Sequence, residues 1–183
     1  MKTLIIDILN YSRLSENITK VNAVDLNVLI RELLEDFELM IRDKNANIQV
    51  NKLPNIEVNR GQIRQVFQNI ISNALKFQRP GVDPMITINS KLVQSLSFDS
   101  QEDPNGDYCL ISIKDNGIGF NEKFATDIFA LFERLNPKDK YEGTGIGLAI
   151  AKKIVEKHNG IIKAMSNEMD GSLFMIILPL NQQ

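Results

Sequence analysis

The chain has 183 residues, 43% hydrophobic and 24% charged, which fits one ordinary folded domain, or one domain plus an appendage, and argues against disorder. Its 21 basic and 23 acidic residues leave a net charge of −2, so no electrostatic footprint for nucleic acid or an anionic membrane surface is visible. The single cysteine, Cys109, excludes an internal disulfide, and no apolar run approaches the ~18 residues of a membrane span; the expected setting is reducing and cytoplasmic.

Taken in chain order, Leu4, Ile5, Ile8, Leu9, Tyr11 and Leu14 form a stripe at helical spacing. Asp25 is placed to cap a second helix whose Leu26, Leu29, Ile30, Leu33, Leu34, Phe37, Met40 and Ile41 repeat at three and four. The segment NIQVNKLPNIEVN alternates and is broken by Pro54, predicting a strand and a short second strand. A helix is predicted from about Arg60, with Ile63, Val66, Phe67, Ile70, Ile71, Ala74 and Phe77 facing inward. MITINSKLVQSL and YCLISIKD follow as strands around a polar loop, and Cys109 in the second is expected to be a small core residue. Residues 121–142 are poorly periodic; a helix then runs from a glycine loop to Asn159 and Gly160, and IIKAMSN and SLFMIILPL read as two final strands. Helices mixed with hairpin-like strand pairs predict an α/β two-layer sandwich with a mixed, mostly antiparallel sheet.

Three features carry chemistry. Asn69, Asn73 and Lys76 lie at i, i+4 and i+7, aligning two amides and an ammonium on one stripe. Amide oxygens suit a hard cation such as Mg²⁺ and the lysine suits phosphate, although the stripe alone reads first as the polar rim of an amphipathic helix. In DNGIGF, Asp115 ends a strand and Gly117 and Gly119 follow: a carboxylate there can accept from an exocyclic amine while the glycines admit a flat ring. An ordinary Asp-Asn-Gly turn has the same letters. The third feature is the run Gly143, Gly145, Gly147 at the mouth of the last helix, where unpaired amides and the helix dipole favour an anion. Neither the dinucleotide fingerprint G-x-G-x-x-G/A nor G-x-x-x-x-G-K-[ST] fits it.

In order, NIISNALKF, DNGIGF, IFALFERL and GTGIGLAIAKKIVEKHNG resemble the N, G1, F and G2 boxes of the ATP-binding domain of sensor histidine kinases, within the wider gyrase, Hsp90, histidine kinase and MutL superfamily. The resemblance covers roughly residues 25–180 and implies the Bergerat fold, a mixed sheet with helices on one face, ATP lying between the helices and a mobile lid. It implies that Asn73 ligates Mg²⁺, that Asn69 helps organise the ion and acts with Lys76 in catalysis, and that Lys76 touches phosphate. Asp115 is expected on the adenine amine, Gly117 and Gly119 under the ring, and Ser172 on adenine through hydroxyl and water. Phe129 and Phe132 are expected at the lid base and Gly143, Gly145, Gly147 and Leu148 at its hinge, with Arg134, Lys138 or Lys140 reaching phosphate from the lid.

LIIDILNYSRL resembles the end of the second helix of the dimerisation and phosphotransfer hairpin that precedes such domains, giving expected units of 1–20, a remnant of that hairpin, and 21–183, the ATP-binding catalytic domain. The only histidine, His158, sits at a helix C-terminus, where a capping or solvated role is expected rather than phosphate acceptance. The resemblance therefore implies a kinase fragment whose acceptor histidine lies on the absent part of the hairpin. The implied partners are that hairpin, a response regulator receiver domain and a second copy of the full-length kinase. The rival readings are an ATPase of the same superfamily and a nucleotide-binding regulatory module without kinase activity. Against the first, a glutamate is expected one turn before the Mg²⁺ asparagine, where this chain has Asn69.

Overall fold

The computed structural model describes residues 11, 20–133 and 144–182. The first strand, β1 (Asn22–Asp25), runs into α1 (Leu26–Asp36), and Asp25 caps that helix by accepting from the Asn27 amide at 2.8 Å. Leu26, Leu29, Ile30 and Leu33 are buried, as their spacing requires. The predicted single helix through Ile41 is instead divided. At Phe37 the backbone leaves helical geometry (φ −94°, ψ 3°) and its N–H turns to the Leu34 carbonyl at 3.1 Å. The following α2 (Glu38–Asp43) is thereby re-aimed: none of its residues is fully buried, Ile41 packs half-buried against the core, and Leu39 and Met40 are 64% and 39% exposed.

The two strands flanking Pro54 join different sheets. β2 (Asn47–Val50) pairs in parallel with β4 (Met85–Val93), whereas β3 (Asn55–Val58) pairs antiparallel with β1. Between them and the hairpin lies α3 (Arg60–Lys76), capped by Asn59 Oδ1, which accepts from the Gln62 amide at 3.0 Å. Its buried face is Ile63, Val66, Phe67, Ile70, Ile71, Ala74 and Leu75. β4 turns back as β5 (Tyr108–Asp115), and after α4 (Gly147–Lys157) come β6 (Ile161–Asn167) and β7 (Gly171–Pro179). The five-stranded order is β2-β4-β5-β7-β6, antiparallel except for the β2–β4 edge.

Alternation along the strands sends Ile86 and Ile88, Ile111 and Ile113, Ala164, Phe174 and Ile176 to one face, where they pack with the helices in the main core. Among the described residues the opposite face carries a small apolar group, Val93, Leu110 and Ile177 with Phe98, Tyr108 and Ile161, and no helix. This is the predicted two-layer sandwich. Cys109 is fully buried in the core, and burial pushes its thiol up to about 12, so it is an inert packing residue. Among the described residues no helix is long and apolar enough to cross a membrane.

Candidate functional site

β5 delivers its last residue, Asp115, to the inner face, because it continues the alternation of Ile111 and Ile113. The carboxyl is 6% exposed. Its Oδ1 accepts from the Gly117 amide at 2.8 Å and the Ser172 amide at 3.1 Å, while Oδ2 has no hydrogen-bond partner among the described residues. Burial raises the Asp115 pKa above the usual carboxylate value, and the two amide donors oppose the rise. The result is a buried acceptor, held rigid from one side and uncommitted on the other.

Glycines make that arrangement possible by letting backbones meet. A Cβ on Gly117 would stand 2.4 Å from the Phe77 carbonyl oxygen, and one on Gly119 (φ +63°) 2.1 Å from that of Asn167. The requirement at both positions thus comes from neighbouring backbone. Gly171, which was not singled out in the sequence, is the third: with φ +89° and a virtual Cβ 2.0 Å from the Asp115 carbonyl, it lets β7 start against β5 so that the Ser172 amide reaches Asp115. Ser172 itself is half-buried and its hydroxyl makes no hydrogen bond among the described residues.

The α3 stripe is half-buried throughout, at Asn69, Asn73 and Lys76. Asn69 Nδ2 donates to the Gly147 carbonyl at 2.8 Å, tying the middle of α3 to the start of α4. One turn on, the Asn73 side chain makes no hydrogen bond among the described residues. The Lys76 ammonium lies 4.5 Å from the centroid of the Phe77 ring, at the end of α3 where the Phe77 carbonyl also accepts from the Ile118 amide at 2.9 Å. From Asn69 to Phe77 the helix advances about 12 Å, so one face of α3 connects the α4 N-terminus to the Asp115 turn.

At that N-terminus the N-cap residue Ile146 is buried and offers no capping side chain, and the first amides of α4 point out of the helix end. Gly145 adopts φ +71° and its carbonyl accepts from Phe132 at 3.0 Å. Leu148 packs half-buried against the core. Of the two expected aromatics, Phe129 is buried and meets Phe174 edge-on at 6.4 Å, whereas Phe132 is 56% exposed and is held here by its backbone. Arg134, Lys138, Lys140 and Gly143 lie outside the described residues.

His158 is fully buried. Its Nε2 accepts from the Asn59 amide at 3.1 Å, so Nδ1 carries the proton and donates to the Ile154 carbonyl at 2.8 Å. Burial lowers its pKa below the usual imidazole value, which suits this neutral tautomer. Of the two expected roles the solvated one is not realised: Nδ1 serves a carbonyl in the last turn of its own helix, and Nε2 takes the amide of Asn59, the N-cap of α3.

A family model described as histidine kinase-, DNA gyrase B- and HSP90-like ATPase matches residues 58–182. The chain belongs to this family. The mixed sheet with helices on its inner face is the family's Bergerat-type fold, an ATP-binding domain. Relatives include the phytochrome-like protein Cph1 of Synechocystis sp., 36% identical over 180 residues, and the sensor protein kinase WalK of Staphylococcus haemolyticus, 35% identical over 188 residues. Each alignment covers 98% of this chain, but only 22% of Cph1 and 28% of WalK. The nucleotide-free catalytic domain of histidine kinase ThkA superposes with a TM-score of 0.70 at 28% identity, covering 90% of this chain and 98% of that one. ThkA in complex with the response regulator TrrA gives 0.72 at 27% identity, covering 98% of this chain and 47% of that one.

Proposed function

We propose that this family member is the catalytic domain of a sensor histidine kinase, binding ATP with Mg²⁺ and passing the γ-phosphoryl group to a histidine on a dimerisation hairpin, for relay to a response regulator aspartate. The observation that carries the nucleotide part is Asp115: a buried carboxyl with one oxygen fixed by two amides and the other uncommitted fits the exocyclic amine of adenine. The phosphates belong at the N-terminus of α4, where helix amides and the helix dipole favour an anion, with Lys76 a cation on the stripe of α3 that carries Asn69 and Asn73.

Asn73 fits a Mg²⁺ ligand because its amide is uncommitted and no cluster of three His, Cys, Asp or Glu among the described residues offers a dedicated metal site, so the ion would take most of its ligands from phosphate and water. The ion would supply positive charge to offset that of the phosphates during transfer. Asn69 supports kinase over ATPase chemistry. One turn before Asn73, it presents an amide already engaged by Gly147, and an amide cannot take a proton from water as a carboxylate can.

The acceptor is a histidine other than His158, whose two nitrogens are committed inside the core. It also lies at the far end of α4, 11 residues or about 16 Å from Gly147, while transfer requires contact within about 3.5 Å. The domain is assigned to the cytoplasm, within a full-length kinase that dimerises through its hairpin. Calorimetric titration with a non-hydrolysable ATP analogue, with and without Mg²⁺, tests the reading: binding that tightens with the ion is expected, and absence of binding contradicts it.

A further inference from the structure

Three segments meet at the Asp115 end of the site, and one side chain ties them. Arg79 follows α3 by three residues. Its Nε donates to the carbonyl of Asn116 at 2.7 Å, and its Nη1 donates to the carbonyl of Met169 at 2.9 Å. Asn116 sits between Asp115 and Gly117, and Met169 lies in the turn that leads into Gly171 and Ser172. The loop closes on itself, because the Met169 amide donates to the Ile118 carbonyl at 2.7 Å and the Ile118 amide to the Phe77 carbonyl at 2.9 Å. The two amides that hold Asp115 Oδ1, those of Gly117 and Ser172, therefore sit on the two strands of backbone that the guanidinium joins.

From this geometry we infer that Arg79 is a positioning residue for base selectivity. Among the described residues its side-chain hydrogen bonds go to those two backbone carbonyls and not to Asp115. By fixing the gap between the β5 exit and the β6–β7 turn, it keeps both donors on Oδ1 and so keeps Oδ2 aimed where an exocyclic amine must sit. A planar fork with several N–H donors can serve two carbonyls in fixed directions; an ammonium on a flexible stem serves one well. The inference rests on the reading of Asp115 as the adenine acceptor. It goes beyond it in assigning adenine discrimination to a residue outside the contact shell.

The test compares ADP with inosine 5′-diphosphate, whose base carries a carbonyl in place of the amine, by calorimetric titration well below the melting temperature. The wild-type chain should prefer ADP. Arg79→Gln should raise the ADP Kd on the order of tenfold, with a much smaller change for the inosine nucleotide, so that the preference collapses. Arg79→Lys should be intermediate, and Arg42→Gln, in an exposed residue whose ion pair among the described residues is with its neighbour Asp43, should match wild type. An Arg79→Gln chain that keeps the wild-type preference, whatever its melting temperature, or that loses both ligands equally, overturns the assignment. Should that variant not fold, Arg79→Lys decides: a reduced preference supports the role and an unchanged one rejects it. If the wild-type chain binds neither nucleotide, the reading of Asp115 fails, and this inference with it.

Discussion

Asp115 and His158 are both buried and titratable, and burial pushes each toward its neutral form. For Asp115 the folded pKa is raised, so keeping the carboxyl ionised at neutral pH costs stability, and that cost is relieved as pH falls through the raised value. Asp115→Asn removes the charge but keeps an oxygen for the two amides, while placing an NH₂ where Oδ2 was. The apo protein should melt no lower than wild type, whereas ADP affinity should fall at least on the order of tenfold, since a mispaired buried polar group costs about 1–3 kcal/mol. Calorimetry and thermal melting on the same sample check both halves. For His158 the folded pKa is lowered. Its contribution is complete above the ordinary imidazole value of about 6.5 and is lost as pH falls below it, because the unfolded chain takes up a proton that the folded one resists. Melting temperature should therefore drop between about pH 7 and 5.5, and drop less steeply in His158→Gln.

Between elements, the site depends on where strands and helices meet. Gly171→Ala forces a side chain into a left-handed residue and against the Asp115 carbonyl. It should cost about 2–4 kcal/mol by thermal or denaturant unfolding and should weaken ADP binding as well, because the Ser172 amide moves with β7. Asn73→Ala should leave Mg²⁺-free nucleotide binding largely intact and abolish tightening by the ion; a mutant with the full Mg²⁺ effect would move the ligand to Asn69. Much of this level was legible in the sequence. The stripe of Asn69, Asn73 and Lys76 follows from helical period, and Asp115 from its place at a strand end before the glycines of DNGIGF. Contacts set by tertiary approach were not legible: the break at Phe37, the partition of β2 and β3 into two sheets, the need for glycine at 171 and the two-carbonyl grip of Arg79 depend on segments far apart in the chain. No local period encodes them.

At the scale of the whole molecule, the fold is a scaffold in which both ends of α4 are tied to α3, its start by Asn69 in the middle of α3 and its C-cap His158 by the Asn59 amide. The four ordered motifs made the family readable, because glycine, amide and carboxylate positions at fixed spacing are chemical demands that survive large changes elsewhere. The histidine was harder to place: its letters at a helix end allowed a solvated group, and only burial shows it spent on a backbone amide. The most direct measurement is to incubate the chain with γ-labelled ATP and Mg²⁺, alone and with a separate histidine-bearing hairpin from a related sensor kinase, and to follow label and released phosphate together. The account predicts no label on this chain and acid-labile label on the hairpin histidine. Acid-labile label on the chain that vanished in His158→Gln, or steady release of phosphate with none reaching the hairpin, would contradict it.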